Sequence, residues 1–180
     1  MKLTDYGRLL EISQHLTFDK TQRIENPYAL IYVRAEDLTS PDKNGKLKPG
    51  VPIEPLILRA AAGEWIEIKL TNGFDPKKTP FTQTTPAQAP FPTPGDTVNL
   101  NTSTFVGLHP QLVSYDITQS NGINAGFNPV QTVAPGETDT LRWYAGNLSI
   151  EEGKLKPTPI EFGAINLIPS DPLLQHQMGL

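Results

Sequence analysis

The chain of 180 residues contains no cysteine, and this absence removes several kinds of chemistry at once. Disulfides, cysteine-based zinc sites, iron–sulfur clusters and thiol nucleophiles all need that side chain. A type 1 (blue) copper site also needs it, because a cysteine thiolate supplies the soft donor beside the imidazoles. Since the chain has only three histidines, few ligands for a transition metal remain.

Positive charge and long apolar runs are also scarce. Lys and Arg total 15 against 19 Asp and Glu, and the formal net charge is -4. The basic residues are thinly spread and form no stripe that could follow a phosphate backbone or an anionic membrane. No run approaches the roughly 18 apolar residues of a membrane span, and the first ten residues lack the apolar stretch of a signal peptide. We therefore expect no nucleic-acid partner, no membrane span and no signal peptide in this chain.

Turn-forming residues are abundant, with 18 prolines and 14 glycines. Helix interiors tolerate neither residue well, whereas short strands joined by turns accommodate both. The composition therefore predicts an all-β fold, and the length suits one sizeable domain.

Two segments show the strict alternation of a half-buried strand. One is Glu64 to Leu70, which places its isoleucines and its leucine on one face. The other is Glu137 to Tyr144, which follows a Pro-Gly turn and places Leu141 and Trp143 on one face. We expect both tryptophans of the chain to pack in the core. The other predicted strands are residues 28–33, 56–60, 97–108, 111–116, 129–133 and 160–168.

The strands predict a Greek-key β-sandwich or barrel within residues 27–180. Residues 1–26 contain one weakly helical run, Tyr6 to Leu16, and are interpreted as an N-terminal extension or the tail of a preceding domain. Residues 74–96 hold six prolines and several threonines without aliphatic periodicity, so we expect a long surface loop there.

Five motifs follow one another along the chain in a distinctive order. They are Pro55-Leu-Ile-Leu-Arg-Ala-Ala-Ala-Gly63, Glu64-Trp-Ile-Glu-Ile-Lys-Leu-Thr-Asn72, Gly107-Leu-His-Pro110, Val133-Ala-Pro-Gly-Glu-Thr138 and Thr140-Leu-Arg-Trp-Tyr144. In this order the motifs resemble those of multicopper oxidase domains, and the resemblance covers about residues 27–180. Within that family the chain looks most similar to the large multidomain bacterial oxidases of the manganese-oxidising type. Those enzymes have similar segments at Pro27–Val33 and Glu161–Leu167. The resemblance implies a cupredoxin-type sandwich belonging to a copper-containing oxidoreductase.

The resemblance also implies where copper ligands would lie. In the family, His-x-His pairs from two domains hold a trinuclear copper cluster, and residues two apart on a strand share a face. The first pair aligns with His109-Pro110-Gln111, which keeps one imidazole. The second pair aligns with Ala164-Ile165-Asn166, which keeps none. A complete cluster in this family needs more imidazoles than the three in this chain.

His109 and His176 are the two candidate metal ligands of the chain. Each has a structural interpretation beside the metal one, namely a histidine bonded to nearby backbone. The acidic pairs Glu36-Asp37 and Glu151-Glu152 lie in turn-like contexts, where solvated carboxylates are the usual interpretation. Because manganese prefers carboxylate oxygens, a weak surface manganese site is the alternative for them.

The leading functional hypothesis is a cupredoxin-like domain or subunit of a multicopper oxidase, mainly structural, with degenerate copper sites and no type 1 copper. Copper would belong to the parent assembly, and the chain alone would not be an active enzyme. One alternative is that His109 contributes to a copper cluster shared with another domain or chain. A second alternative is a non-enzymatic β-sandwich binding module that uses the 74–96 loop.

The resemblance further implies partners and location. In the family, a segment like Gly179-Leu180 leads into the final strand of the sandwich, so we expect that strand to be missing from this chain. The edge left after Leu180 would then pair with other cupredoxin domains or chains of the same oxidase. Parent proteins of this type are exported, to the periplasm, the cell surface or the spore coat.

Overall fold

The computed structural model describes residues 2–5, 30–40, 46–74, 103–177 and 179–180. Within them the fold is all-β, with nine strands and only two short helical segments. The strands are β1 (Lys2–Asp5), β2 (Leu30–Val33), β3 (Trp65–Asn72), β4 (Leu108–Pro110), β5 (Ser114–Tyr115), β6 (Thr138–Tyr144), β7 (Gly146–Glu151), β8 (Lys154–Pro159) and β9 (Leu167–Pro169). The helical segments are a 3-10 turn (Ala35–Asp37) and α1 (Leu174–Gln177). None of the helices in these residues is long and apolar enough to cross a membrane.

The strands form three sheets. The largest has the order β2-β1-β3-β6-β5, and its pairs are antiparallel except for the parallel pair of β1 and β3. A small second sheet pairs β4 with β9, and β7 and β8 form a separate hairpin. The centre of the large sheet is therefore the β3–β6 pair.

The main core lies between the large sheet and the β4–β9 sheet, which gives the molecule a sandwich-like character. On the large sheet, Ile68 faces Leu141 across the register, and both side chains are buried. The opposite layer contributes Leu108 and the bridged residues Val106 and Val133. The packing of these apolar faces is the main source of stability of such a fold.

Strand β2 is buried on both faces, because it also supports a second, smaller apolar cluster. Leu30 and Tyr32 face the main core, whereas Ile31 and Val33 pack with Leu38 on the other side. The sequence of a strand covered on both faces is a continuous apolar run, without the alternation of polar and apolar residues that a half-exposed strand shows.

The structure confirms the strands predicted from strict alternation. Strand β3 covers the predicted 64–70 segment, with Glu67 and Lys69 exposed, and β6 covers most of 137–144. Strand β2 agrees with the described part of the predicted strand at 28–33. Trp143 lies in the core as expected, with 2% of its surface exposed.

The expectation of a buried position for Trp65 was wrong. Its side chain is 50% exposed and packs on the Tyr144 ring, at a centroid distance of 5.2 Å. Trp65 stands on the outer face of β3 with Glu67, opposite the face that carries Ile66 and Ile68. The alternation of the strand therefore excludes it from the core.

Several weaker strand predictions were also wrong. Residues 56–60 form no strand, because they run along the surface without a paired neighbour. Residues 129–133 make only the isolated bridge at Val133, and 111–116 and 160–168 shrink to the short strands β5 and β9. The β7–β8 hairpin was not predicted. The helical run 6–16, most of the 74–96 loop and the start of the 97–108 strand lie outside the described residues.

Candidate functional site

His109 lies at the middle of the short strand β4, opposite Ile168 of β9. Its neighbours Leu108 and Pro110 are buried, whereas the imidazole itself is half-buried. The ring of Tyr115 meets the imidazole edge-on, with the two ring centroids 5.9 Å apart. The histidine is therefore packed on one side and accessible on the other.

One hydrogen bond selects the tautomer of the neutral His109 ring. Nδ1 lies 2.9 Å from the backbone carbonyl oxygen of Asn121, and a carbonyl can only accept. Nδ1 must therefore carry the hydrogen, which leaves the lone pair of the neutral ring on Nε2. No residue in the described part of the chain bonds Nε2. The lone pair on Nε2 can therefore bind a cation, and the bond at Nδ1 fixes the direction in which this lone pair points.

The loop from Asp116 to Asn124 positions the carbonyl group that His109 uses. The backbone N–H of Asn121 donates to Oε1 of Gln131 at 2.6 Å, and Nε2 of Gln131 donates to the Ile117 carbonyl at 2.7 Å. Gln131 is only 3% exposed, so a buried amide braces the loop from inside. The Ser120 carbonyl accepts the indole N–H of Trp143 at 2.9 Å, which attaches the same loop to the core.

Two glycines allow this loop to cross strand β4 at close range. A Cβ on Gly107 would overlap the carbonyl oxygen of Gly122, and one on Gly122 would overlap the carbonyl of Leu108. Gly122 also has φ +73°, a conformation that other residues adopt at a cost. The contact between the two backbones thus requires glycine and brings Asn121 next to His109.

The polar groups around this loop are satisfied locally. The Tyr115 hydroxyl donates to Oδ1 of Asn121 at 3.3 Å, and burial raises the pKa of Tyr115. Asp116 is exposed, and its carboxylate accepts the Thr118 hydroxyl at 2.7 Å and the Thr118 N–H at 2.9 Å. Both bonds lower the pKa of Asp116, and the bond from the Thr118 hydroxyl has the larger effect. Their roles are structural, because the donors belong to the turn itself.

The two segments that the sequence resemblance aligned with copper motifs, 109–111 and 164–166, are neighbours in space. Strand β4 pairs with β9, and the backbone N–H of Gln111 donates to the Asn166 carbonyl at 3.1 Å. The side chains of Gln111 and Asn166 are exposed there. Of the side chains at the aligned ligand positions, His109 alone is an imidazole.

His176 lies in helix α1 and is exposed. Its Nδ1 is 3.0 Å from the backbone oxygen of Leu180, a local contact within the same turn. Among the residues that the structure describes, no group of three or more His, Cys, Asp or Glu side chains is placed to hold a metal ion. With three histidines in the chain, its side chains do not fit a complete trinuclear copper cluster.

The acidic pairs have cationic neighbours. Glu36 lies 3.5 Å from Arg34, and Glu151 lies 2.6 Å from Lys156. All four side chains are at least half exposed, so each ion pair contributes little to stability.

The network behind His109 was only partly foreseeable from the sequence. The Gln119-Ser-Asn-Gly122 cluster signals a turn, and the turn is present. The bond from His109 to Asn121 and the bracing by Gln131 span 12 and 10 residues. No sequence pattern marks such contacts.

Comparisons of the chain with models of protein families, with curated proteins and with solved structures return no match. The functional interpretation therefore depends on the residues and contacts described above.

Proposed function

We propose that this chain is a cupredoxin-like, Greek-key domain or subunit of a multicopper oxidase, in which it has a mainly structural role. One observation carries the proposal. The two segments that align with copper-binding motifs lie side by side in an all-β, sandwich-like fold, yet only His109 supplies an imidazole at the aligned positions. In this proposal, the paired segments are the framework of a copper site in which most of the ligands have been replaced.

The replacements explain why the role is structural. Gln111 and Asn166 carry amides, which are poor ligands for copper compared with imidazoles, and the chain has no cysteine for a type 1 site. The contacts around them hold backbone segments together, as the bond between these two residues does. Copper and electron transfer would then belong to other parts of the oxidase, and this chain would supply inter-domain surface.

A second candidate function has its own support in the geometry of His109. A histidine that ligates a metal commonly donates its other ring N–H to a backbone carbonyl or a carboxylate, which orients the ring. His109 has this second bond, to Asn121, and an unbonded Nε2 on its accessible side. In this version, His109 contributes one ligand to a copper cluster completed by a neighbouring domain or chain.

One set of variants in the oxidase assembly separates the two functions. His109→Ala removes the imidazole, and Gln111→Ala, an exposed neighbour at the end of the same strand, is the matched control. Leu141→Asp places a charge in the core and tests the architectural role, because a buried unpaired charge unfolds the domain. Copper content, assembly size and oxidase activity are measured for each.

The structural role predicts that His109→Ala and Gln111→Ala both keep the copper and the activity, whereas Leu141→Asp loses the assembly. If His109→Ala alone loses copper and activity while the assembly stays intact, the structural proposal is wrong and the shared-ligand function replaces it. An active assembly containing an unfolded Leu141→Asp domain would also contradict the structural role.

A further inference from the structure

The β7–β8 hairpin has one apolar and one polar face. Directly paired residues of antiparallel strands share a face, and successive residues alternate between faces. The apolar face therefore carries Leu148, Ile150, Leu155, Pro157 and Pro159. The polar face carries Asn147, Ser149, Glu151, Lys154, Lys156 and Thr158. Such separation is typical of a strand pair that covers an apolar surface with one side.

The apolar face continues onto the large sheet. A Cβ on Gly146, at the root of the hairpin, would meet the Thr158 carbonyl oxygen, the Tyr144 ring and the backbone of Pro159, so the ring lies close to this end of the hairpin. Tyr144 in turn packs against the half-exposed Trp65. We use the name apolar strip for the half-exposed Trp65 and the apolar hairpin residues, which meet at the buried Tyr144 ring.

The apolar strip is largely uncovered within the described chain. Ile150 is 77% exposed and Leu155 is 59% exposed, and every residue of β8 is exposed. Together with half of Trp65, these side chains present on the order of 500 Å² of apolar surface, near the upper end for the largest patch of a monomer. The largest exposed apolar patch of a monomer is often a functional site.

The outer edge of the hairpin is unsuited to adding another strand. Pro157 and Pro159 lack the backbone N–H that a ladder requires, and Lys154 and Lys156 add charge along the same strand. A partner must therefore cover the face of the hairpin rather than extend its edge. Packing of one sheet face on another meets this condition.

We propose that the apolar strip binds the same strip of a second copy of this chain, in a two-fold symmetric dimer. A two-fold interface is self-complementary, and the apolar face of the hairpin carries no charged side chain, so it can face itself without repulsion. At the Trp65 end the Arg142 guanidinium lies 5.6 Å from the ring centroid and pairs with Glu67, so these opposite charges border the strip. An average interface covers about 800 Å² per partner, of which roughly 57–65% is apolar, and this matches a strip on the order of 500 Å². Trp65 supplies the kind of aromatic anchor that dominates binding energy.

The charges near the strip disfavour a lipid surface as the occupant. At the hairpin tip Glu151 and Glu152 offset Lys154 and Lys156, so the hairpin has no excess of positive charge for anionic lipids. The proposed dimer is independent of whether the chain belongs to a copper oxidase, because none of the strip residues belongs to the His109 site.

Sedimentation of the purified full chain over a range of concentrations tests the proposal. We expect a monomer–dimer equilibrium with a dissociation constant in the micromolar range, about what an interface of this size without many hydrogen bonds gives. The double variant Ile150→Thr, Leu155→Thr removes apolar surface and keeps good strand formers, so the dissociation constant should rise at least about tenfold. The control is Ser149→Thr, Lys156→Thr, the cross-strand pair on the polar face, which should leave it within about twofold.

Acrylamide quenching gives a second readout, because Trp65 is half exposed and Trp143 is buried. Quenching should fall as wild-type dimer forms and should stay high in the Ile150→Thr, Leu155→Thr variant. A wild-type chain that stays monomeric at about 200 µM, well above a micromolar constant, would overturn the proposal. So would a dimer whose affinity responds equally to the two double variants.

Discussion

Asn72 shows how one buried side chain connects three parts of this fold. It ends β3 and is fully buried, and its Nδ2 donates to the carbonyls of Thr104 and Val133 at 2.8 Å each. Its Oδ1 accepts the Phe74 N–H at 3.0 Å. Both N–H donors and the oxygen of the amide have partners, which is the condition under which a polar group is stable in a core.

Replacing Asn72 with Ala should therefore be costly. The substitution removes three hydrogen bonds of a buried network, to the carbonyls of Thr104 and Val133 and from the Phe74 N–H, and we expect a loss of about 2–4 kcal/mol in the free energy of unfolding. Urea denaturation measures the change. Thr71→Ala is the control, because it removes only a hydroxyl contact with Thr138 and should cost less than about 1 kcal/mol. Equal losses for the two variants would show that the Asn72 network contributes little.

Tyr32 gives the stability of the protein a dependence on alkaline pH. The ring lies in the core, its hydroxyl donates to the Gly107 carbonyl, and burial raises its pKa well above the usual value near 10. Because the folded-state pKa is the higher one, this group contributes its full stabilisation below pH 10. The contribution is lost as the pH rises above the unfolded-state pKa toward the folded-state value.

We therefore expect wild-type stability to fall more steeply above pH 10 than that of Tyr32→Phe. The variant should also be less stable at neutral pH, by about 1–2 kcal/mol, because the Gly107 carbonyl loses its donor. Urea unfolding of both proteins between about pH 8 and pH 11.5 compares the slopes. Parallel curves would mean that Tyr32 ionises as easily in the folded protein as in the unfolded chain.

At the scale of elements, the loop 116–124 and strand β4 form one unit. Their backbones touch at Gly107 and Gly122, and this contact brings the Asn121 carbonyl to His109. The geometry of the candidate site thus depends on a backbone crossing rather than on side-chain packing alone.

Gly122→Ala tests this crossing. The new methyl group would overlap the Leu108 carbonyl in a left-handed conformation, so we expect a loss of about 2 kcal/mol or more. Gly126→Ala is a matched control, because Gly126 also has a positive φ but has nothing within 4 Å of the added atom. Gly126→Ala should lower the free energy of unfolding by only about 1 kcal/mol.

The same variants can be compared by NMR. The ¹⁵N signals of His109 should show the Nδ1–H tautomer in wild type and in Gly126→Ala, and a changed tautomer ratio in Gly122→Ala. Identical stabilities and His109 signals in both variants would contradict this account.

Strands in which apolar and polar residues alternate, because one face is buried and the other is exposed, could be predicted from the sequence. The other strands could not. Strands β3 and β6 alternate because one face meets the core and the other meets water. The hairpin β7–β8 also alternates, but its apolar face is uncovered and interrupted by prolines, which usually demote a strand. Strands β4, β5 and β9 have only two or three residues, so their pairing is decided by partners distant in sequence.

At the scale of the whole molecule, the sequence indicated an all-β fold and the structure confirms it. His109 could be selected from the sequence because imidazoles are rare in this chain and a motif resemblance pointed to one. Its orientation could not, since it depends on Asn121, Gln131 and two glycines that meet only after folding. In the function that we propose, the chain is the framework of a copper site and lacks the ligands for a complete copper centre.

Copper binding by the purified full chain tests that central claim most directly. The chain is incubated with Cu(I) or Cu(II), passed through a chelating resin, and analysed for copper per chain and for visible absorption. We expect at most one weakly held ion, which His109→Ala removes, because one imidazole is a poor site by itself. Two or more copper ions retained per chain, or an intense blue absorption band, would contradict the account.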